Sequence, residues 1–288
     1  MTEVPKNVAK LREMIRDCAL CPRRCGVDRT AGKLGSCGVG PDAVVASAGP
    51  HFGEEPVLVG AGGSGTIFFS GCNLGCIFCQ NYDISHSVNG HLCPPAEIAA
   101  LAVGLEARGC ENINFVTPTH VAHAVAEAVV VARSQGLTAP IVYNCGGYES
   151  LEALQLLEGL IEIYMPDFKY ASADAGRKYS SVDDYPAAAE RALAEMFRQV
   201  GPLELDDRGV ATGGVLVRHL VMPGDTAKSR EVIDIVARTA PGCTINVMAQ
   251  YRPCYRAHEF AELTARPSAA EVESLRRRAA DAGLKLAR

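Results

Sequence analysis

The chain lacks any apolar run long enough to span a bilayer. Its first residues mix Lys6, Lys10, Arg12, Glu13 and Arg16 instead of forming the apolar core of a signal peptide. A cytoplasmic protein without a membrane partner is therefore expected. A basic excess is also missing: the net charge is −5, so there is no electrostatic case for binding nucleic acid. The glycine run Gly60-Ala61-Gly62-Gly63-Ser64-Gly65 is not followed by the Lys-Ser/Thr of a phosphate-binding loop, and reads as a tight loop entering a strand. At 288 residues, one large domain, or one domain with a small appendage, accounts for the whole chain.

Cysteine, by contrast, is plentiful. Twelve cysteines without an export signal argue for metal over a disulfide framework. Cys72, Cys76 and Cys79 stand at Cys-x3-Cys-x2-Cys spacing directly after the apolar run Thr66–Ser70. Three thiolates on one tight loop suit three irons of a [4Fe-4S] cube, leaving the fourth iron without a local protein ligand. An open position of this kind marks a catalytic metal site, whereas zinc knuckles prefer four ligands in paired Cys-x2-Cys units. Cys18, Cys21, Cys25 and Cys37 form a second group, with enough thiolates for a closed site holding zinc, a single iron or a second [4Fe-4S] cluster. Reduced thiols or a redox disulfide are the other uses open to them. Residues 18–41 show no periodicity and are rich in Cys, Gly and Arg, so a metal there would be what folds them. The expected division is a helix and cysteine-rich segment over 1–41 and a larger unit over 42–288.

From about residue 64 the chain alternates. Strand-like runs occur at 66–70, 113–117, 141–144, 161–165, 215–221 and 244–248. Helix-like stretches lie at 96–108, 121–133, 150–157, 186–199 and 227–238, with an amphipathic helix at 6–17 before them and a capped helix at 269–282 after them. This α/β pattern implies a parallel sheet with right-handed crossovers, either a partial (β/α)6 barrel or a flat doubly wound sheet. In both, ligands bind at the C-terminal ends of the strands.

The three-cysteine motif, with Phe78 just before its last cysteine, resembles that of radical S-adenosylmethionine enzymes. The resemblance implies a partial (β/α)6 barrel with the cluster loop after its first strand. It also implies that S-adenosylmethionine binds the open iron and is cleaved to a 5′-deoxyadenosyl radical, which abstracts a substrate hydrogen. Within that superfamily, Cys21-Pro22-Arg23-Arg24-Cys25, Gly53-Glu54-Glu55-Pro56, Cys79-Gln80-Asn81, Val116-Thr117-Pro118-Thr119-His120, Pro166-Asp167-Phe168-Lys169-Tyr170 and Gln250-Tyr251-Arg252-Pro253 resemble one subgroup. Its members are similar to pyruvate formate-lyase activating enzymes but carry an N-terminal cysteine cluster. The Asp-Gly-Pro-Gly-like stretch of true glycyl-radical activators is absent before the cluster.

On this resemblance Asp167 and Lys169 contact S-adenosylmethionine, with an ion pair at a strand end as the plainer use. Phe78 and Asn144 join them as cofactor contacts. The Gly-Gly-Glu segment that binds the methionyl amine in many relatives is absent, and Thr117 and Thr119 are expected to substitute for it. Substrate-facing candidates are Glu54, Glu55, His120, Gln250, Tyr251 and Arg252. For four of these a plainer reading stands alongside: rim ion pairs for Glu54, Glu55 and Arg252, and a rim or helix-start residue for His120. No residue is singled out as catalytic. The substrate is a small molecule or a peptide, or else a glycyl-radical enzyme as partner protein, with the electron drawn from a flavodoxin or ferredoxin.

Overall fold

The apolar runs form strands wherever β-branched and aromatic residues concentrate. In the computed structural model, which describes residues 5–287, ten strands are present among the described residues: β1 Ala43–His51, β2 Ser64–Phe69, β3 His91–Cys93, β4 Asn112–Val116, β5 Ile141–Cys145, β6 Ile163–Pro166, β7 Glu204–Leu205, β8 Ala211–Leu220, β9 Thr244–Met248 and β10 Lys285–Leu286. The outer bounds of the two expected segments, residues 1 and 288, lie outside the described residues. The helices are α1 Lys6–Glu13, α2 Pro56–Val59, α3 Tyr82–Ser85, α4 Pro95–Ala107, α5 Ala122–Ser134, α6 Leu151–Leu156, α7 Ala173–Ser180, α8 Tyr185–Val200, α9 Ser229–Thr239 and α10 Ala269–Asp281. None of them is long and apolar enough to cross a membrane.

One sheet runs β10-β9-β8-β6-β5-β4-β2-β1-β3, with β7 beside β8. The six strands from β2 to β9 along this path are parallel to one another, and helices supply the crossovers that parallel pairing requires. They form the partial (β/α)6 barrel, which is not closed. The six strand runs and the seven helices expected above all appear, with ends shifted by a few residues. The largest shifts are at the start of β8, Ala211 instead of residue 215, and at the end of α1, Glu13 instead of residue 17. Beyond α1 the chain must bend so that Cys18 can donate to Val27 O (3.0 Å) and accept from Gly26 N (3.2 Å).

Three antiparallel pairings were not expected, one of them that of β7 with β8. β1 pairs with β2, and β3 pairs with β1. β1 is rich in small residues, carries Gly49 and Pro50 near its end and is buried over its first three residues only, so it shows no clean alternation.

Alternation along the parallel strands gives the barrel two faces. Outward-facing residues pack on the helices in the main core, which also takes in Val8, Leu11, Ile15, Leu20 and Val39 of the N-terminal segment. The inner face is smaller. At one end Val142, Ile163, Met165, Ala211 and Leu216 close around Leu58 of α2, which plugs the barrel from below. The glycine run after the plug is a tight turn, with Ala61 N and Gly62 N both donating to Glu111 Oε1 (3.1 and 3.2 Å).

Because Leu58 is fully buried among inner-face residues, Leu58→Ala should cost about 2–5 kcal/mol. Leu92→Ala, at a side chain 67% exposed, should stay within about 0.5 kcal/mol. Urea midpoints of the two variants check the contrast.

Candidate active site

The cluster loop leaves β2 through Ser70 and Gly71. Gly71 has φ +81°, and a Cβ there would lie 2.6 Å from Cys37 O, so only glycine lets the two cysteine segments approach this closely. The loop that follows is held by backbone bonds. Gly75 N donates to Ser180 O (3.2 Å) and Ile77 N to Tyr179 O (3.0 Å), while Asn73 Nδ2 donates to Tyr148 O (2.6 Å). Arg23 Nε of the N-terminal segment donates to Asn73 O at 2.5 Å. Phe78 packs edge-on against Tyr170 and at a tilt against Tyr251.

Cys72, Cys76 and Cys79 line one cavity of about 270 Å³ together with Phe78, Thr117, Asn144, Asp167, Lys169, Arg218 and Gln250. Each of the three sulfurs has a hydrogen-bonding neighbour: Leu74 N at 3.3 Å from Cys72 Sγ, Ser180 Oγ at 3.0 Å from Cys76 Sγ and Ser85 Oγ at 3.2 Å from Cys79 Sγ. Burial pushes the Cys72 thiol up to about 12 and raises Cys76 as well, against the pull of Lys169. Among the described residues no three His, Cys, Asp or Glu side chains close on a single metal ion, and this holds for both cysteine groups. A cube takes one thiolate per iron, so its ligands do not converge on one ion. Three thiols on a rigid loop, each with a hydrogen-bonding neighbour and all facing one cavity, fit that donor set.

Opposite the loop lies a charged floor. Asp167 follows β6 and shares its two oxygens: Lys169 Nζ lies 2.6 Å from Oδ2, and Arg218 Nε donates to Oδ1 at 2.9 Å. Arg218 Nη2 donates to Asn144 Oδ1 at 2.7 Å. Burial alone would raise the Asp167 carboxyl, but the two cations outweigh it and hold Asp167 below the usual range. Tyr185 OH braces the floor from behind, within 2.9 Å of Lys169 N, Gly146 O and Asp167 O. Gly147 permits this packing: a Cβ there would lie 2.2 Å from Asp167 O.

Several other candidates face elsewhere. Glu54 and Glu55 lie behind Arg218, with Glu54 Oε2 and Glu55 Oε2 at 3.7 and 3.9 Å from Nη1. Burial, opposed by Arg218 and reinforced by Glu55, pushes Glu54 up to about 7. Thr119 is buried and donates to Glu149 Oε1 (2.7 Å). His120 is buried with Nε2 2.8 Å from Ser70 O. Tyr251 is buried and donates to Leu263 O (2.7 Å). Arg252 is exposed. Thr117 lines the cavity in a left-handed conformation (φ +60°) that β-branched residues seldom adopt.

Sequence reasoning missed the role of Arg218, although an arginine inside the apolar run 215–221 was a legible signal. Ser85, Ser180, Tyr185 and Glu149 carried no such signal, because ordinary side chains acquire these positions only through the fold.

No family model matches the chain. The uncharacterized protein MJ0674 of Methanocaldococcus jannaschii is 30% identical over 279 residues, spanning 94% of this chain and 75% of that protein. SuiB of Streptococcus suis, in its structure bound to S-adenosylmethionine, superposes with a TM-score of 0.53 at 10% identity, over 75% of this chain and 47% of its own. This chain therefore spans less than half of SuiB's length, and the likeness is one of fold. TsrM of Kitasatospora setae, a radical S-adenosylmethionine methyltransferase, gives a TM-score of 0.46 at 17% identity over 64% of this chain and 34% of its own.

Glu149 supplies a pH test. Its carboxyl is fully buried, and burial pushes it up to about 7 from an ordinary 4.5, against donors that include Thr119 and Tyr143. Between those two values the folded chain keeps the proton and the unfolded chain does not. The part of the stability that this carboxyl supplies should therefore fall as pH rises from 4.5 to 7, by up to about 1.4 kcal/mol per pH unit. Glu149→Gln should remove that part of the slope in urea unfolding measured across the same range.

Proposed function

We infer the function from the site itself, because the chain belongs to the same family as MJ0674 of Methanocaldococcus jannaschii and that relative's name assigns no activity. We propose a radical S-adenosylmethionine enzyme. The observation that carries the reading is the meeting of Cys72, Cys76 and Cys79 with Asp167, Lys169 and Arg218 around one cavity at the C-terminal ends of the strands. The three cysteines would hold three irons of a [4Fe-4S] cluster. When bound, such a cluster supplies one electron that cleaves S-adenosylmethionine to methionine and a 5′-deoxyadenosyl radical able to remove a substrate hydrogen.

The chain's own residues provide the rest. Lys169 brings a cation that can hold a carboxylate, and Asp167 keeps it oriented toward the cavity. Thr117 offers a hydroxyl and a carbonyl for an ammonium group. Asn144 and Gln250 offer amides for hydroxyls or a base edge. Phe68, Phe69, Phe78, Leu220, Met222 and Met248 form the apolar wall, which keeps water from a reactive centre. SuiB's bound S-adenosylmethionine supports the choice of ligand. The substrate would be a small molecule or a peptide, and the electron would come from a flavodoxin or ferredoxin. The alternative, activation of a glycyl-radical enzyme, is favoured by no feature of the described residues. We also assign a metal centre of their own to Cys18, Cys21, Cys25 and Cys37, where thiolates that do not close on one ion suit a second [4Fe-4S] cluster better than zinc.

The test is anaerobic reconstitution with iron and sulfide, then dithionite and S-adenosylmethionine. Production of 5′-deoxyadenosine is expected, falling about a hundredfold or more in Cys76→Ala. Lys169→Ala should raise the KM for S-adenosylmethionine by about ten- to a hundredfold, the value of one charge-assisted hydrogen bond. A loaded protein that makes no 5′-deoxyadenosine, and whose reduced-cluster paramagnetic resonance spectrum ignores S-adenosylmethionine, would sink the reading.

A further inference from the structure

Arg29 is the one arginine whose side chain is wholly buried among the described residues. A guanidinium stays charged at any working pH. Buried charges are ordinarily paired with an opposite charge. Yet among the described residues Arg29 makes no ion pair. Its Nε and Nη2 donate to Gly40 O at 3.0 and 2.6 Å, and Nη1 donates to His120 O at 2.7 Å. The remaining contact is Cys18 Sγ, 3.9 Å from Nη1. Carbonyls supply dipoles but no charge.

The near neighbours do not offset it. Asp28 is turned away, its Oδ1 accepting from Thr30 N (2.9 Å), Thr30 Oγ1 (2.6 Å) and Ala31 N (3.2 Å) at the exposed start of a short turn. Glu127 is paired with Arg12. His120 and His123 are pushed down to about 4 and about 3, by burial first and by the Arg29 charge in part, and supply no anion. What does lie beside Arg29 is the N-terminal cysteine group, through Cys18 at 3.9 Å from Nη1 and through Cys37, whose thiol the Arg29 charge pulls down against burial.

We propose that Arg29 is the counter-charge of an anionic metal centre built from Cys18, Cys21, Cys25 and Cys37. This rests on the reading above that these four cysteines hold a metal. Thiolates, not thiols, are metal ligands. Four of them outweigh a divalent ion, or a cube of equal charge, and leave a net negative centre. A buried cation beside that centre is then compensated, and its hydrogen bond to a ligand sulfur is of the kind that steadies metal sites. The same side chain reaches the barrel. Arg29 holds His120 O, His120 Nε2 lies 2.8 Å from Ser70 O, and Ser70 stands two residues before Cys72. Loading of the N-terminal centre thereby seats the segment against the start of the cluster loop.

The test compares the full-length wild type with Arg29→Met, which keeps bulk and removes charge. Iron, sulfide and zinc are counted first, beside a Cys18→Ser/Cys37→Ser variant. If the wild type holds no more metal than that double variant, the metal reading of these cysteines fails. If it holds more, the iron-to-zinc ratio identifies the centre and Arg29 can be judged. Arg29→Met should then release that metal to a chelator about tenfold faster or more. It should also lower the melting temperature of loaded protein and raise that of metal-stripped protein, because removing an uncompensated buried charge favours the stripped fold. A merely structural arginine would shift both melting temperatures the same way. That result, or an unchanged release rate, overturns the proposal. Arg29→Gln, which keeps an amide donor without the charge, should give the same signs and stands in if Arg29→Met does not fold.

Discussion

The arrangement at the barrel mouth depends on one carboxylate with two cations. Asp167 is half-buried, and it stays ionised because Lys169 takes one oxygen and Arg218 the other. Each partner is then committed further: Arg218 to Asn144 on β5 and to Glu54 and Glu55 below it, and Lys169, through its backbone, to Tyr185. The inner face therefore carries ionic groups where most cores carry hydrocarbon. Such groups persist in an interior only when they satisfy one another. Removing any one would leave the others unbalanced, which is why the loops after β5 and β6 are packed so closely that Gly147 has no room for a side chain.

Much of the fold was legible because its parallel strands and crossover helices differ sharply in period. The six runs from residue 66 to residue 248 are short, apolar and β-branched, and the intervening stretches repeat at helical spacing. Ser268 caps α10 as its spacing implied, accepting from Glu271 N. What escaped were elements whose shape is imposed from outside. β1 is a strand because β2 offers it an edge. α2 is a single helical turn held by the inner face. Neither has a period of its own to read.

The site divides along the same line. Cysteine spacing announced the loop, and Asp167 and Lys169 could be paired by the two-residue repeat of an extended segment. Residues proposed only for standing near a strand end fared unevenly: Asn144, Thr117 and Gln250 face the cavity, whereas Thr119, His120 and Tyr251 turn into the core. At a strand end a one-residue change reverses the side chain's direction, and the turn that follows sets where each later residue points. Glu54 and Glu55 look like surface charges in sequence, and only the plug carries them beneath Arg218.

That plug has a further consequence. With Leu58 and its neighbours filling one end of the inner face, the cavity lies toward the other, where the strand ends carry the cluster loop, Asp167 and Lys169. The unclosed barrel is thus stoppered at its base but not at its side. Four residues of helix, Pro56–Val59, do the stoppering, and with them the chain sets the depth of its site.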